Sequence, residues 1–196
     1  IGELHMLLNK DPQSGKLRRT QAIANLLFQF CGMPFSDLAH LEKSNLERGL
    51  LKYNRTKTGT PMSIEVLESA QNAIGGLYNK SDARSSGYPD YLFRGAYKRD
   101  EEEAYREYQS ALRRFNNELK SLSRKLRLHS PVTSYTLRHS WATTAKYRGV
   151  PIEMISESLG HKSIKTTQIY LKGFELEERT KVNKLNYSYV CSFKMF

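Results

Sequence analysis

Only two cysteines occur in 196 residues, Cys31 and Cys191. One sits in an apolar helical run and the other near the end of the chain, which builds neither a disulfide framework nor a metal-ligand spacing. This usage predicts a reducing cytoplasm as the setting. Long apolar runs are missing too: stretches such as 22–30 are short and interrupted, well below the roughly 18 uninterrupted apolar residues of a membrane span. The chain is therefore expected to be soluble, with no membrane partner. It opens Ile1-Gly2-Glu3, with no initiator Met, basic n-region or apolar h-region, and is expected to be cut from a longer protein. Acidic residues are the minority, 20 against 31 Lys plus Arg with a pI near 9.6. That balance points to polyanions, nucleic acid first and acidic membrane surface second, although charge alone does not choose between them.

What is present is helical periodicity with clear punctuation. From Thr20, the apolar positions Ile23, Leu26, Leu27 and Phe30 recur at helical spacing. Gly32-Met33-Pro34 then stops the run before a second helix expected to be capped by Ser36. GLLKYNR and TPMSIEV read as strands joined by Thr56-Lys57-Thr58-Gly59, which puts Lys57 at the tip of a β-hairpin. A helix ending at Gly75-Gly76 follows, and 79–89 reads as a loop. Between Asp100 and Leu128, apolar residues at alternating steps of three and four predict a long helix. Its acidic first turn and basic last turn suit the helix dipole. Core packing explains its stripe better than a coiled coil does. Shorter helices are expected from Thr133 or Ser134 to about Arg148, from Pro151 to Gly160, and over Thr166–Tyr170, with an amphipathic tail helix after that. The fold class is mainly α with one small antiparallel sheet, in a single domain over 1–196.

Four residues suit phosphoryl transfer to a protein hydroxyl. Tyr170 offers a phenol that becomes nucleophilic when cations stabilise its anion. Arg138, in YTLRHSW, is a planar, permanently charged fork for phosphate oxygens. His161 can bond the phosphate or accept the phenol proton. Lys57 can protonate a departing 5′ oxygen. Each alone has an ordinary explanation: a core tyrosine, a surface arginine, a residue after a helix end, a solvated turn lysine. For Cys31 and Trp141 such structural explanations suffice.

Their order and spacing are the specific part. A Lys on a hairpin is followed by Y-x-x-R-H opening a helix, then by L-G-H with its His 23 residues after Arg138, then by a Tyr nine residues later. This resembles the catalytic domain of the tyrosine recombinase, or phage integrase, family, and the block SYTLRHSWATTAKYRGVPIEMISESLGHKSIKTTQIYLK looks like members from integrative mobile elements. The resemblance implies Tyr170 as the nucleophile of a 3′-phosphotyrosine bond, Arg138 as the second catalytic arginine, His161 at the histidine-or-tryptophan position, and Lys57 as general acid. It places Tyr135 at the first position of H-x-x-R, where His is usual, and His139 as a buttress behind the site. It puts Pro34 where the first catalytic arginine belongs; Arg18, Arg19 and Arg55 are the sequence-near candidates to replace it.

The function so implied is site-specific DNA recombination or integration without ATP, metal or cofactor, in keeping with the absence of a P-loop pattern and of clustered Cys and His. Two rivals stand beside it: a DNA-binding paralogue inactivated through Pro34, and a type IB topoisomerase-like enzyme that relaxes supercoils. The implied partners are double-stranded DNA, further copies forming a tetramer on paired sites from a monomer in its absence, and a DNA-bending accessory protein. On this resemblance the chain is the C-terminal catalytic fragment of a longer recombinase, and 173–196 is a tail that docks on a neighbouring protomer.

Overall fold

The computed structural model describes residues 2–77, 101–171, 180, 182–185 and 187–188, with Glu101 and Tyr170 described by backbone alone. Three helices come first: α1 (Gly2–Asn9), α2 (Gly15–Gln29) and α3 (Phe35–Ala39). The strands β1 (Leu46–Glu47), β2 (Leu50–Asn54) and β3 (Pro61–Glu65) follow. Then come α4 (Glu68–Leu77), α5 (Glu101–Lys125), α6 (Ser134–Tyr147), α7 (Ile152–Ser158) and α8 (Ile164–Tyr170). The fold is mainly α with one small antiparallel sheet, as the sequence predicts.

Helix α2 is the axis of the main core. Thr20, Ala24, Leu26 and Leu27 are buried along one face, and the helix packs against α1, α4, α5 and α6. It ends at Phe30, after which Cys31 and Gly32 both take positive φ, 55° and 64°. A Cβ on Gly32 would lie 3.2 Å from both Arg138 Cα and Trp141 Cβ, so the absent side chain lets α6 come close. Helix α5 buries Phe115, Leu119 and Leu122, with Leu126 buried just past its end, whereas Tyr105 near its start is 61% exposed. The apolar stripe is thus core-facing along its C-terminal half.

The sheet has the order β1-β2-β3, with Leu46 opposite Leu51 and Tyr53 opposite Met62. The expected hairpin is β2–β3. Strand β1 was not foreseen, because two residues carry no readable alternation. Two boundaries also differ. The N-cap of α3 is Pro34, extended at φ −66° and ψ 148°, and Ser36 lies within the first turn. Helix α4 runs one residue past Gly76, to the buried Leu77. The predicted loop at 79–89 and Cys191 lie outside the described residues, as does most of the expected tail helix. Its described residues are helical, with Val182 and Leu185 58% and 70% exposed.

A second, smaller core joins Ala142 of α6 to Ile155, Leu159 and Leu171. Helix α6 serves both cores, since Leu137 belongs to the first. No helix of the described residues is long and apolar enough to cross a membrane. Leu119→Ala should cost about 2–5 kcal/mol in urea unfolding, the range for truncating a closed-packed leucine. Tyr105→Ala, on the same stripe but exposed, should stay within about 0.5 kcal/mol.

Candidate active site

Arg138 sits where the two cores meet. Its helix is started by Thr133, which forms a capping box with Thr136. This fixes α6 so that the Arg138 side chain lies inward, with the residue only 7% exposed. Its Nη1 donates to Gly32 O at 2.8 Å, and its Nη2 donates to Leu159 O at 2.6 Å. Leu159 is the C-cap of α7, and a helix leaves its last carbonyls without partners of its own.

A second arginine reaches the same oxygen. Leu51 and Tyr53 of β2 and Arg55, the residue after it, follow the strand period of two, and Leu51 and Arg55 are both buried. Arg55 Nη1 donates to Leu159 O across 104 positions of sequence. Its Nε stands 3.0 Å from Asp37 Oδ2, with both side chains buried, at an angle that makes this a charge contact rather than a hydrogen bond. Asp37 Oδ1 accepts from Thr56 N at 3.2 Å, so one carboxylate ties both the cation and the start of the hairpin turn to α3.

Gly160 makes this arrangement possible. It has φ +65°, and a Cβ there would lie 2.8 Å from Arg55 Cγ and 2.9 Å from Met62 Sδ. The hydroxyls of Thr58 and Thr60 donate to Gly160 O at 3.3 and 3.4 Å. The turn carrying Lys57 is thereby docked beside the α7 C-terminus, with Lys57 itself exposed.

His161 follows directly. Its Nε2 lies 3.3 Å from Arg138 Nη2, and its Nδ1 lies 2.8 Å from Thr167 Oγ1. Burial, then the charges of Arg138, Arg55 and Lys57, lower its pKa to about 4. The imidazole is neutral at physiological pH, and all three cations act on it. Tyr170 closes α8, three residues beyond Thr167; its hydroxyl lies outside the description. Tyr135 is 64% exposed one turn before Arg138, and His139 is half-buried next to it.

Pro34 supplies no cation. Of the three nearby arginines, Arg18 is bonded to Asp11 through Nε and Nη2, both at 2.9 Å on the surface. Arg19 lines a groove between α2 and α5 with Lys16 and Arg106. Arg55 alone of the three stands beside Arg138. Tyr53, on the same strand face, is not a second phenolate, since burial pushes its pKa up.

A model of the phage integrase family matches residues 3–176. The chain belongs to the phage integrase family. Among relatives of this integrase-family chain is a probable integrase/recombinase protein of Methanocaldococcus jannaschii, 31% identical over 89% of this chain and 52% of that protein. Another is the tyrosine recombinase XerA of Pyrococcus furiosus, 32% identical over 75% of this chain and 48% of that one. The chain thus spans about half the length of these relatives. In fold it is similar to the Tn1549 transposon integrase, solved in complex with transposon right end DNA. That likeness has a TM-score of 0.62 at 15% identity and covers 94% of this chain and 64% of that one.

Two measurements probe the site of this family member without DNA. Asp37→Asn leaves the buried Arg55 charge uncompensated and should cost about 3–5 kcal/mol in urea unfolding. An NMR titration should place the His161 midpoint near pH 4. Because that value is below the unfolded one, acidification from about pH 6.5 towards 4 protonates the unfolded chain first and lowers stability. His161→Gln should flatten this part of the stability curve.

Proposed function

We propose that this chain is the strand-cleaving and rejoining domain of a site-specific DNA recombinase. The observation that carries the reading is Leu159 O, which gathers two buried guanidiniums beside a neutral imidazole, with Lys57 acting on the same imidazole. Two like charges drawn to one carbonyl repel each other, and Asp37 stands 3.0 Å from Arg55. An entering phosphodiester anion relieves that repulsion and can take bidentate bonds from the forks. Arg55 then does what Pro34 cannot, which weakens the reading of an inactive paralogue.

In the reaction, the Tyr170 oxygen attacks the scissile phosphorus, the bond to the 5′ oxygen breaks, and a 3′-phosphotyrosine bond forms. The phenol proton passes to His161 Nε2, and Lys57 gives a proton to the departing 5′ oxygen. Arg138 and Arg55 hold the non-bridging oxygens as charge builds on them. A 5′-hydroxyl from a partner strand reverses these transfers. One phosphoester replaces another throughout, so neither ATP nor a metal is required. The exposed Tyr135 can hydrogen-bond the DNA near Arg138, and His139 buttresses that arginine.

The partners follow from the chemistry. Duplex DNA is gripped mainly through phosphates by a chain with 31 basic residues, in the cytoplasm where such DNA lies. Exchange between two duplexes needs four nucleophiles, hence a tetramer on paired sites formed from monomers. The exposed Val182 and Leu185 of the tail support its docking on a neighbouring protomer. A DNA-bending protein would help to bring sites together. The chain is read as a single catalytic domain of a longer recombinase.

The test is a nicked suicide substrate, with covalent adducts resolved on a denaturing gel. An adduct should form and vanish in Tyr170→Phe. Arg55→Ala and Arg138→Ala should each slow its formation by about 10²–10³-fold, the effect of losing a preorganised donor to a developing anion. An adduct that persists in Tyr170→Phe would sink the reading. Full-rate cleavage by Arg55→Ala would remove that residue from it.

A further inference from the structure

Thr167 is fully buried and yet spends its hydroxyl on His161, 2.8 Å from Nδ1. The other ring nitrogen identifies the donor. A guanidinium has no acceptor, so Arg138 Nη2, 3.3 Å from Nε2, can only donate to it. Nε2 is then the unprotonated nitrogen, and in a neutral imidazole the single hydrogen lies on Nδ1, directed at Thr167 Oγ1. The opposite tautomer would set an N–H against the guanidinium and leave Nδ1 as acceptor.

Placement adds a second consequence. Thr167 lies on α8, and Tyr170 closes the same helix less than one turn later. Helix α8 packs on α7, at whose end His161 stands. Near Thr167, one hydrogen bond therefore ties the helix carrying the nucleophile to the histidine that is to accept its proton.

We propose that Thr167 is a positioning residue: by accepting the Nδ1 hydrogen of His161 it keeps Nε2 as the acceptor and sets α8, so that base and nucleophile take their places together. The proposal rests on the recombinase reading for its catalytic consequence. The groups acting on this imidazole are Arg138 from α6, Arg55 after β2, Lys57 from the hairpin turn and Thr167 from α8. Burial, and after it the three cations, hold the imidazole neutral until DNA arrives. A bound phosphate opposes them, so the nitrogen kept free of hydrogen becomes more basic when the phosphodiester is in place.

The experiment compares the wild-type protein with Thr167→Ser, Thr167→Val and Thr167→Ala. Three readouts are taken: suicide-substrate cleavage, DNA affinity by gel shift, and the ring ¹⁵N spectrum of His161, which distinguishes the tautomers. Serine keeps the hydroxyl and should stay within about threefold of wild type with the hydrogen on Nδ1. Valine should cut cleavage by about 10–100-fold, the usual scale for a partner that orients a functional histidine. Its DNA affinity should be unchanged and its tautomer population shifted towards Nε2–H. Alanine gives the same comparison if valine fails to fold. An unchanged tautomer, or full-rate cleavage in both apolar variants while wild type forms its adduct, would overturn the proposal. If wild type forms no Tyr170-dependent adduct, the recombinase reading falls first and the catalytic role of Thr167 falls with it.

Discussion

The C-terminal carbonyl of α7 is the point from which the site is organised. Helix geometry leaves Leu159 O without an intrahelical partner and at the negative end of the helix dipole. Two guanidiniums take that vacancy, one from α6 and one from the end of β2. The next residue must have no side chain, because Arg55 and Met62 occupy the space. The one after it is the histidine. Leu-Gly-His is thus a sequence of three jobs: an acceptor for cations, a gap for close approach, and a neutral imidazole beside them.

Gathering these charges has a cost that the fold meets with rigid supports. Buried cations are tolerated only with hydrogen bonds and countercharge. Arg138 has Gly32 O and Leu159 O, while Arg55 has Leu159 O and Asp37. Asp37 also holds the hairpin turn through Thr56 N, so the support of one arginine also places Lys57. On the proposed reading, the site is preorganised for the phosphodiester before DNA is present. This is the condition under which electrostatic stabilisation is strongest, since little reorganisation remains for the moment of reaction.

The two hydrophobic cores explain why these pieces converge. Helix α6 gives Leu137 to the larger core and Ala142 to the smaller, and Arg138, between them in sequence, lies at their junction. Against it passes the α2–α3 connection, where Gly32 allows backbone contact. Helices α7 and α8 bring His161 and Thr167 together from the smaller core. A shift of α8 therefore changes the surroundings of the histidine as well as those of Tyr170.

The sequence alone determined whatever depends on local rules. The stripe of α5 declares a helix by its period. Thr-Lys-Thr-Gly between two strand-like runs declares a hairpin with a lysine at its tip. Y-x-x-R-H, L-G-H and the following Tyr declare a family by order and spacing. Elements set by few residues or by distant packing were not legible: the two-residue β1 and the proline cap of α3. Only the tertiary structure decided which arginine stands beside Arg138. Arg18, Arg19 and Arg55 are alike in composition and similarly placed around Pro34. The alternation of Leu51, Tyr53 and Arg55 hinted that one of them faces inward, but its role depends on a carbonyl 104 residues away and a carboxylate on another helix. Burial and partnership are properties of positions in space, and no local pattern in the chain encodes them.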